Sequence, residues 1–423
     1  LPYTLQSLRY REALLQQYGD KGPEQRRHAQ RDLFPVANAR KALTGQYQGL
    51  LDPQILKTKE TRENDLLVQA KANSAALHDQ AAKALATIDA AHAKLAAWEK
   101  TYALLEKGDA FDSRLFRIAR HLVRLADELP KEDGQRLAEY RSSGIESLKF
   151  QLFSPAPIPL DLDRAKLGAS LSFVAEQLGG ASKEVKLVLG GKSPAQLATD
   201  LVAGSKLGDV AVRKELFETG AKGIAASADA MIRYVRDLDA ACRALRKDHD
   251  EIAETLQQAY GDLAKIRFQL YGSSVPPDAT FTLRLAYGVV KGYEVDGEKL
   301  SHATTFGQMF ARAAEQGNRD PFELPKSWAD AKAKLKLDTP FNFTSTADTI
   351  GGNSGSPVLN RAGELVGINF DRNRHGLVRN FVYTDHQARH ISVHSRAVLE
   401  ALRAVYAAES LAEELVGKGC CED

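Results

Sequence analysis

A serine hydroxyl becomes a nucleophile only when a base removes its proton, and the oxyanion it then creates needs donors already aimed at it. The run Gly351-Gly352-Asn353-Ser354-Gly355-Ser356-Pro357 has the composition for that task. Gly352 can take a backbone conformation that residues with side chains avoid. Its N–H then points the same way as that of Ser354, and the two amides form an oxyanion hole. Ser354 is the candidate nucleophile and Gly352 the candidate oxyanion donor. The plain alternative is a Gly/Ser surface turn. The fixed order Gly-Asn-Ser-Gly-Ser-Pro, with a strand pattern on each side, favours the catalytic reading.

Those strand patterns are short alternating runs: Phe281 to Tyr287, Phe341 to Thr344 and Leu365 to Phe370. They predict half-buried strands of an antiparallel sheet, with a hairpin turn at Asn360-Arg361-Ala362-Gly363. A last helix is predicted from Ser395 to Leu415, laying Val398, Leu399, Leu402, Val405 and Tyr406 back on the sheet. Upstream the texture is helical. Gln54 to Lys107 contains no Gly or Pro and is rich in helix formers, so it predicts two or more helices or one long bent one. Further helical segments run from Leu162 to Leu178, Pro194 to Ala203 and Val210 to Leu270, with Gly179-Gly180 and Gly190-Gly191 as stops. The expected fold class is α+β: a large helical domain over 1–272, an antiparallel β portion with a closing helix over 273–416, and a tail over 417–423.

With Lys+Arg 57 against Asp+Glu 55 and a net charge of +2, nothing in the balance points to nucleic acid or an anionic membrane as main partner. No apolar run approaches the roughly 18 residues of a membrane span. Cys242, Cys420 and Cys421 are too few for a disulfide framework. No His, Cys or carboxylate cluster has metal-ligand spacing, so neither metal nor cofactor is implied, and Cys420-Cys421 is expected in a disordered tail. The chain starts at Leu1 and its methionines are Met231 and Met309, so the sequence predicts that a processed signal or a longer segment has been removed upstream.

The run from Thr339-Pro340-Phe341-Asn342 through Gly351 to Asn360 and on to Gly367-Ile368-Asn369-Phe370-Asp371 resembles the nucleophile region of the bacterial dipeptidyl-peptidase 7 and 11 family. Pro277 to Leu285, Gly288 to Tyr293, Ser154-Pro155-Ala156-Pro157 and Asn38-Ala39-Arg40-Lys41 share the resemblance. These are chymotrypsin-like serine exopeptidases with a large helical domain inserted in a double β-barrel. The resemblance implies a serine dipeptidyl-peptidase acting through an acyl-enzyme on Ser354, on peptides with a free N-terminus. It implies that the β portion over 273–416 is half of a chymotrypsin-like β-barrel, and it also implies a homodimer in the periplasm or at the cell surface.

Family members carry a His in a His-His-Cys context and an Asp further on, both before the helical domain. Neither context occurs in this chain. His28, His78, His92, His121 and His249 fall in helical segments and read as solvated or packed histidines, leaving His302 as the one to test as a base. The expectation is therefore a C-terminal portion lacking the first barrel half and inactive alone. Asp348, six residues before Ser354, stands where chymotrypsin-like enzymes that cut after Lys or Arg place a carboxylate. Arg372 stands where family members selective for Asp or Glu at P1 carry Arg, and a guanidinium clamps an acidic side chain bidentately. Arg372 is the stronger indicator, so acidic P1 is expected. An exopeptidase must fix the substrate's ammonium, and a carboxylate suits it. Asp371 matches the family residue in that role and Asn38 the helical-domain residue that assists, against plain readings as a turn acid and a helix cap. Arg374-His375 replaces the family's common Trp-Glu. Asn353 replaces the Asp of pancreatic-type enzymes, so activation by zymogen cleavage is not implied. The alternatives are a chymotrypsin-like endopeptidase and a non-catalytic helical scaffold with a relic barrel half.

Overall fold

The computed structural model describes residues 1–274 and 283–417, and the chain divides into two compact units. The first unit comprises Leu1–Arg40 and Thr61–Pro276. It is built from α1 (Pro2–Gly19), the first part of α2 (Pro23–Leu50), most of α3 (Pro53–Asn73), α4 (Ala75–Ala96), α5 (Glu99–Leu105), α6 (Arg114–Glu128), α7 (Ser142–Leu152), α8 (Leu160–Leu178), α9 (Lys183–Leu189), α10 (Pro194–Ala203), α11 (Val210–Ala226) and α12 (Ala230–Tyr271). The Gly- and Pro-free stretch is thus three helices. Its first break is made by Ser74, whose extended backbone leaves the helix while its Oγ accepts from the Leu77 amide. Likewise the segment from Val210 splits where Asp229 caps α12 through the Met231 and Ile232 amides. Buried Ala81, Ala84 and Ala91 on α4 let that helix lie close along α12.

The main core gathers around α6, whose Leu115, Phe116, Ala119 and Leu122 pack with Leu167, Leu171 and Val174 of α8 and Met231, Ile232 and Val235 of α12. Charge is also buried there. Arg124 donates to both oxygens of Glu106 at 2.8 and 2.6 Å and to Asp239 at 2.7 Å, and Arg243 joins Asp239 to Glu128 at 2.6 and 2.7 Å. Such groups are tolerated inside only because each is paired and hydrogen-bonded. Burial would raise the Glu128 carboxyl. Hydrogen bonds from Lys131, the Leu137 amide and Arg243 override it and hold the group down at about 2, against an ordinary 4.5. A depressed carboxyl contributes stability that is present above the unfolded-state value and lost as pH falls toward the folded one. Glu128→Gln is therefore expected to be less stable than the natural protein at neutral pH. The difference in melting temperature should close as pH drops from 4.5 to about 2; a difference that stays constant over that window would show that Glu128 is not the titrating group.

Arg213 is fully buried with backbone carbonyls as acceptors: Leu207 at 2.6 Å, Gly208 at 2.8 Å, Leu152 at 2.9 Å and Ser154 at 3.1 Å. It fixes the start of the Ser154-Pro155-Ala156-Pro157 cluster. Arg213→Leu orphans those carbonyls and should cost about 3 kcal/mol of stability, read by denaturant unfolding. A loss under about 1 kcal/mol would mean that water satisfies them.

The second unit comprises Lys41–Glu60 and Pro277–Asp423. The end of α2 belongs here because Gly45 and Gly49 form a bare stripe on which Leu377 and Val378 rest; a Cβ on either glycine would come within 2.3 Å of them. The remaining elements are β1 (Tyr293–Val295), β2 (Glu298–Leu300), β3 (Ala303–Thr305), α13 (Phe306–Glu315), α14 (Lys326–Ala331), β4 (Pro340–Ser345), β5 (Pro357–Leu359), β6 (Leu365–Arg372), β7 (His390–His394), α15 (Ser395–Ala404) and α16 (Glu409–Leu415). β1 and β2 form a hairpin, and the other five strands form an antiparallel sheet in the order β3-β4-β7-β6-β5. The turn at 360–363 is as read from sequence, with Asn360 Oδ1 accepting from the Ala362 and Glu364 amides.

Two expectations are corrected. Of the run from Phe281, Phe281 and Thr282 lie outside the described residues. Leu283 to Val289 forms no strand, and Leu283, Leu285 and Tyr287 are exposed. Alternation makes a strand only beside a partner edge, and pairing with β4 begins at Val290 opposite Ser345. The closing helix is two helices, because Ala407 adopts a left-handed conformation (φ 51°) and the Ala408 amide returns to the Leu402 carbonyl. α15 packs on β4, β6 and β7, burying Ala397 and Ala401 rather than Tyr406. Cys420 and Cys421 lie outside the described residues.

Candidate active site

Ser354 lies in the loop between β4 and β5, exposed, with its Oγ donating to the Phe370 carbonyl on β6 at 3.3 Å. Gly352 and Gly355 have φ of 98° and 89°, values that strain any residue with a Cβ, and they turn the chain sharply on either side of Ser354. Among the described residues neither the Gly352 nor the Ser354 amide donates to another group. The loop is held from below by β6. Asn369 is buried, and its amide donates to Ser356, its carbonyl accepts from Gly355 at 2.7 Å, and its Nδ2 donates to the Asn353 carbonyl at 3.1 Å. Asn353 closes the loop on itself, its Oδ1 accepting from the Ile350 amide.

The strand that holds the loop also carries the candidate binding residues. Pairing of β6 with β7 runs Asn369 opposite Ser392, then slips by one residue, so that Asp371 faces Ile391 and Arg372 faces His390. Phe370 is the extra residue. A bulge here re-aims the residues after it, setting Arg372 rather than Asp371 in the cross-strand row of His390 and Ser345. Asp371 is exposed, with Oδ1 accepting from the Arg372 amide at 2.7 Å. Arg372 is half-buried, and its Nη1 donates to Asn380 Oδ1 at 3.2 Å. Asp348 is exposed on the loop approaching Ser354.

Asn38 is exposed in the first unit, within α2 rather than at its end, so it is not a helix cap. His302 is exposed in the turn between β2 and β3, where its carbonyl accepts from the Thr344 amide. Among the described residues no histidine ring is hydrogen-bonded to Ser354. No group of three or more His, Cys, Asp or Glu there is placed to hold a metal ion, and no helix is long and apolar enough to cross a membrane.

Sequence reasoning overlooked three residues. Asn369 is one, although its place in the strand after the nucleophile was visible. Asn380 is another, brought to Arg372 by a turn with no signature. The third is Arg379, buried, which ties the nucleophile loop to the start of β7 through the Ala347 carbonyl at 2.5 Å and the Ala388 carbonyl at 2.9 Å. Burial first, and the nearby Arg389 and Arg372 also, push its guanidinium below its ordinary value, with Tyr383 and Asp348 opposing.

The Peptidase S46 family profile matches residues 1–417. The chain belongs to the peptidase S46 family. Within S46, the Asp/Glu-specific dipeptidyl-peptidase of Shewanella putrefaciens is 26% identical over 425 residues, covering 91% of this chain and 56% of the relative. The Asp/Glu-specific dipeptidyl-peptidase of Porphyromonas gingivalis is 36% identical over 154 residues, 33% of this chain and 20% of the relative. Among solved structures, DPP11 of Porphyromonas endodontalis in complex with the dipeptide Arg-Asp superposes with a TM-score of 0.71 at 18% identity, covering 99% of this chain and 60% of that one. This S46 chain therefore has the fold of that structure over its described residues. The chain spans under two thirds of the length of these relatives.

Proposed function

We propose that this chain is the nucleophile-bearing part of a serine dipeptidyl-peptidase that releases dipeptides ending in Asp or Glu from peptide N-termini. The observation that carries this reading is that one bulged strand, β6, both holds the Ser354 loop through Asn369 and presents Asp371 and Arg372 beside it. The relatives named Asp/Glu-specific dipeptidyl-peptidases support it.

In this mechanism a base takes the proton of the Ser354 hydroxyl, parked on the Phe370 carbonyl, as the oxygen attacks the carbonyl carbon of the second residue. The base returns that proton to the leaving amine as the peptide bond breaks, and water then releases the dipeptide from the acyl-enzyme. The tetrahedral oxyanion is met by the Gly352 and Ser354 amides. Arg372, whose guanidinium is hydrogen-bonded to the neutral Asn380 side chain, offers its fork to the P1 carboxylate, and Asn380 keeps the guanidinium in place. Asp371 takes the substrate ammonium, which sets the cut after two residues. The base and its orienting acid are proposed to be the family's His and Asp, from chain outside the 423 residues, so these residues alone are inactive.

The deciding experiment assays the protein as its gene encodes it, beside the 423-residue chain, with dipeptide reporters ending in Asp and in Leu. Cleavage of the Asp reporter by the former, with the short chain silent, supports the reading. A protein active on neither would leave a helical scaffold with a relic barrel, and cleavage inside N-blocked peptides would mean an endopeptidase. The family resemblance also proposes a periplasmic homodimer, to be checked by cell fractionation and light scattering.

A further inference from the structure

Below the nucleophile loop a line of buried polar side chains crosses the sheet. On β4, Ser345 Oγ accepts from the Ala347 amide at 3.2 Å and meets His390 Nδ1 at 3.1 Å. On β7, His390 Nε2 meets Ser392 Oγ at 2.7 Å. Ser392 pairs in register with Asn369 of β6, whose Nδ2 holds the Asn353 carbonyl. All four residues are buried, and Asn369 Oδ1 is the one polar atom among them that has no hydrogen-bond partner.

One proton arrangement aims every hydrogen of the line at an acceptor. The Ser345 hydroxyl accepts from Ala347 and has its own hydrogen to give to Nδ1, in which case neutral His390 donates from Nε2 to Ser392. The Ser392 hydroxyl hydrogen then needs an acceptor, and Asn369 Oδ1 stands at the neighbouring register position and needs a donor. The opposite tautomer leaves both Asn369 Oδ1 and the Ser345 hydroxyl unsatisfied. The surroundings keep the ring neutral: burial chiefly, and Arg379 as well, push His390 down to about 4. Arg372 across from it on β6, Arg389 just before its strand, and Arg379 are all cationic.

We propose that Ser345, His390, Ser392 and Asn369 form one hydrogen-bonded column that braces the nucleophile loop at both ends, Ala347 and Asn353. His390 and Ser392 are then positioning residues for Ser354. A loop clamped at both ends holds the Gly352 and Ser354 amides in one geometry before substrate arrives, which is where oxyanion stabilisation gets its value. The link to catalysis rests on the proposed function; the bracing does not.

The test is hydrogen exchange on the protein as its gene encodes it, comparing Ser392→Ala and Ser392→Thr with the natural protein. In Ser392→Ala, exchange at the Gly355 and Ser356 amides should rise about tenfold while the β4–β7 ladder amide of Phe343 stays unchanged, and Ser392→Thr should restore protection. Exchange at Gly355 and Ser356 staying within about twofold of the natural protein, or a rise shared equally by the ladder, overturns the column. Should Ser392→Ala fail to fold, nitrogen NMR of the His390 imidazole in the natural protein decides. A protonated Nε2 with a bare Nδ1 across about pH 5 to 8 supports the column, and the other tautomer or an imidazolium overturns it. On Asp reporters Ser392→Ala should lower kcat about tenfold with little change in KM. A natural protein that cleaves no reporter would sink the proposed function and leave the exchange result standing.

Discussion

Ser354→Ala, made in the protein as its gene encodes it, is expected to lower kcat on an Asp-ending dipeptide reporter by about 10⁴-fold or more, with KM close to unchanged. The Ser354 hydroxyl is exposed and bound by one long contact to the Phe370 carbonyl, so nothing in the resting loop depends on it for folding. The loop is fixed instead by Asn353, Asn369 and the glycine turns, all of which survive the substitution. An intact fold with lost turnover is the signature of a removed nucleophile. Melting temperature should move by no more than a degree or two, since an exposed hydroxyl carries roughly half a kcal/mol at most. Activity within about tenfold of the natural protein would end the acyl-enzyme reading for this serine.

The second large effect concerns what is cut. Arg372→Gly should lower kcat/KM for Asp- and Glu-ending reporters by about 10³-fold, and leave Leu-ending reporters equal or better. Desolvation sets the balance. A P1 carboxylate leaving water needs a charged, geometrically matched partner, and in the proposed function the Arg372 fork would supply two parallel hydrogen bonds. Buried Arg379 cannot substitute, because its terminal nitrogens are committed to the Ala347, Thr384 and Ala388 carbonyls. Arg372→Lys keeps the charge without the fork and should recover only part of the loss. An Asp-to-Leu preference ratio that does not move in Arg372→Gly would transfer specificity elsewhere. Efficient release of Lys-ending dipeptides would point to exposed Asp348 instead.

Local patterns in the sequence carried the elements whose stability is local. Helix limits such as Pro194–Ala203 follow from a serine cap and a terminal glycine, and the 360–363 hairpin from its turn residues. The nucleophile loop was legible because a fixed glycine and serine order is itself a backbone instruction. Where the chain gave no Gly or Pro, as at Ala407, the break went unseen, and alternation from Leu283 onward looked like a strand although no described strand pairs with it.

The sequence alone therefore determined the candidate nucleophile loop, its flanking glycines, the change of texture and the helical character of the first part, because each is written in residues near one another. Only the tertiary structure decided the rest. The one-residue slip at Phe370 that sets Arg372 opposite His390 depends on register between strands far apart in sequence. So does the burial that joins Ser345, His390, Ser392 and Asn369, and the turn that brings Asn380 to Arg372. Register and burial are properties of pairs, and a single chain read in order states its residues without stating their partners.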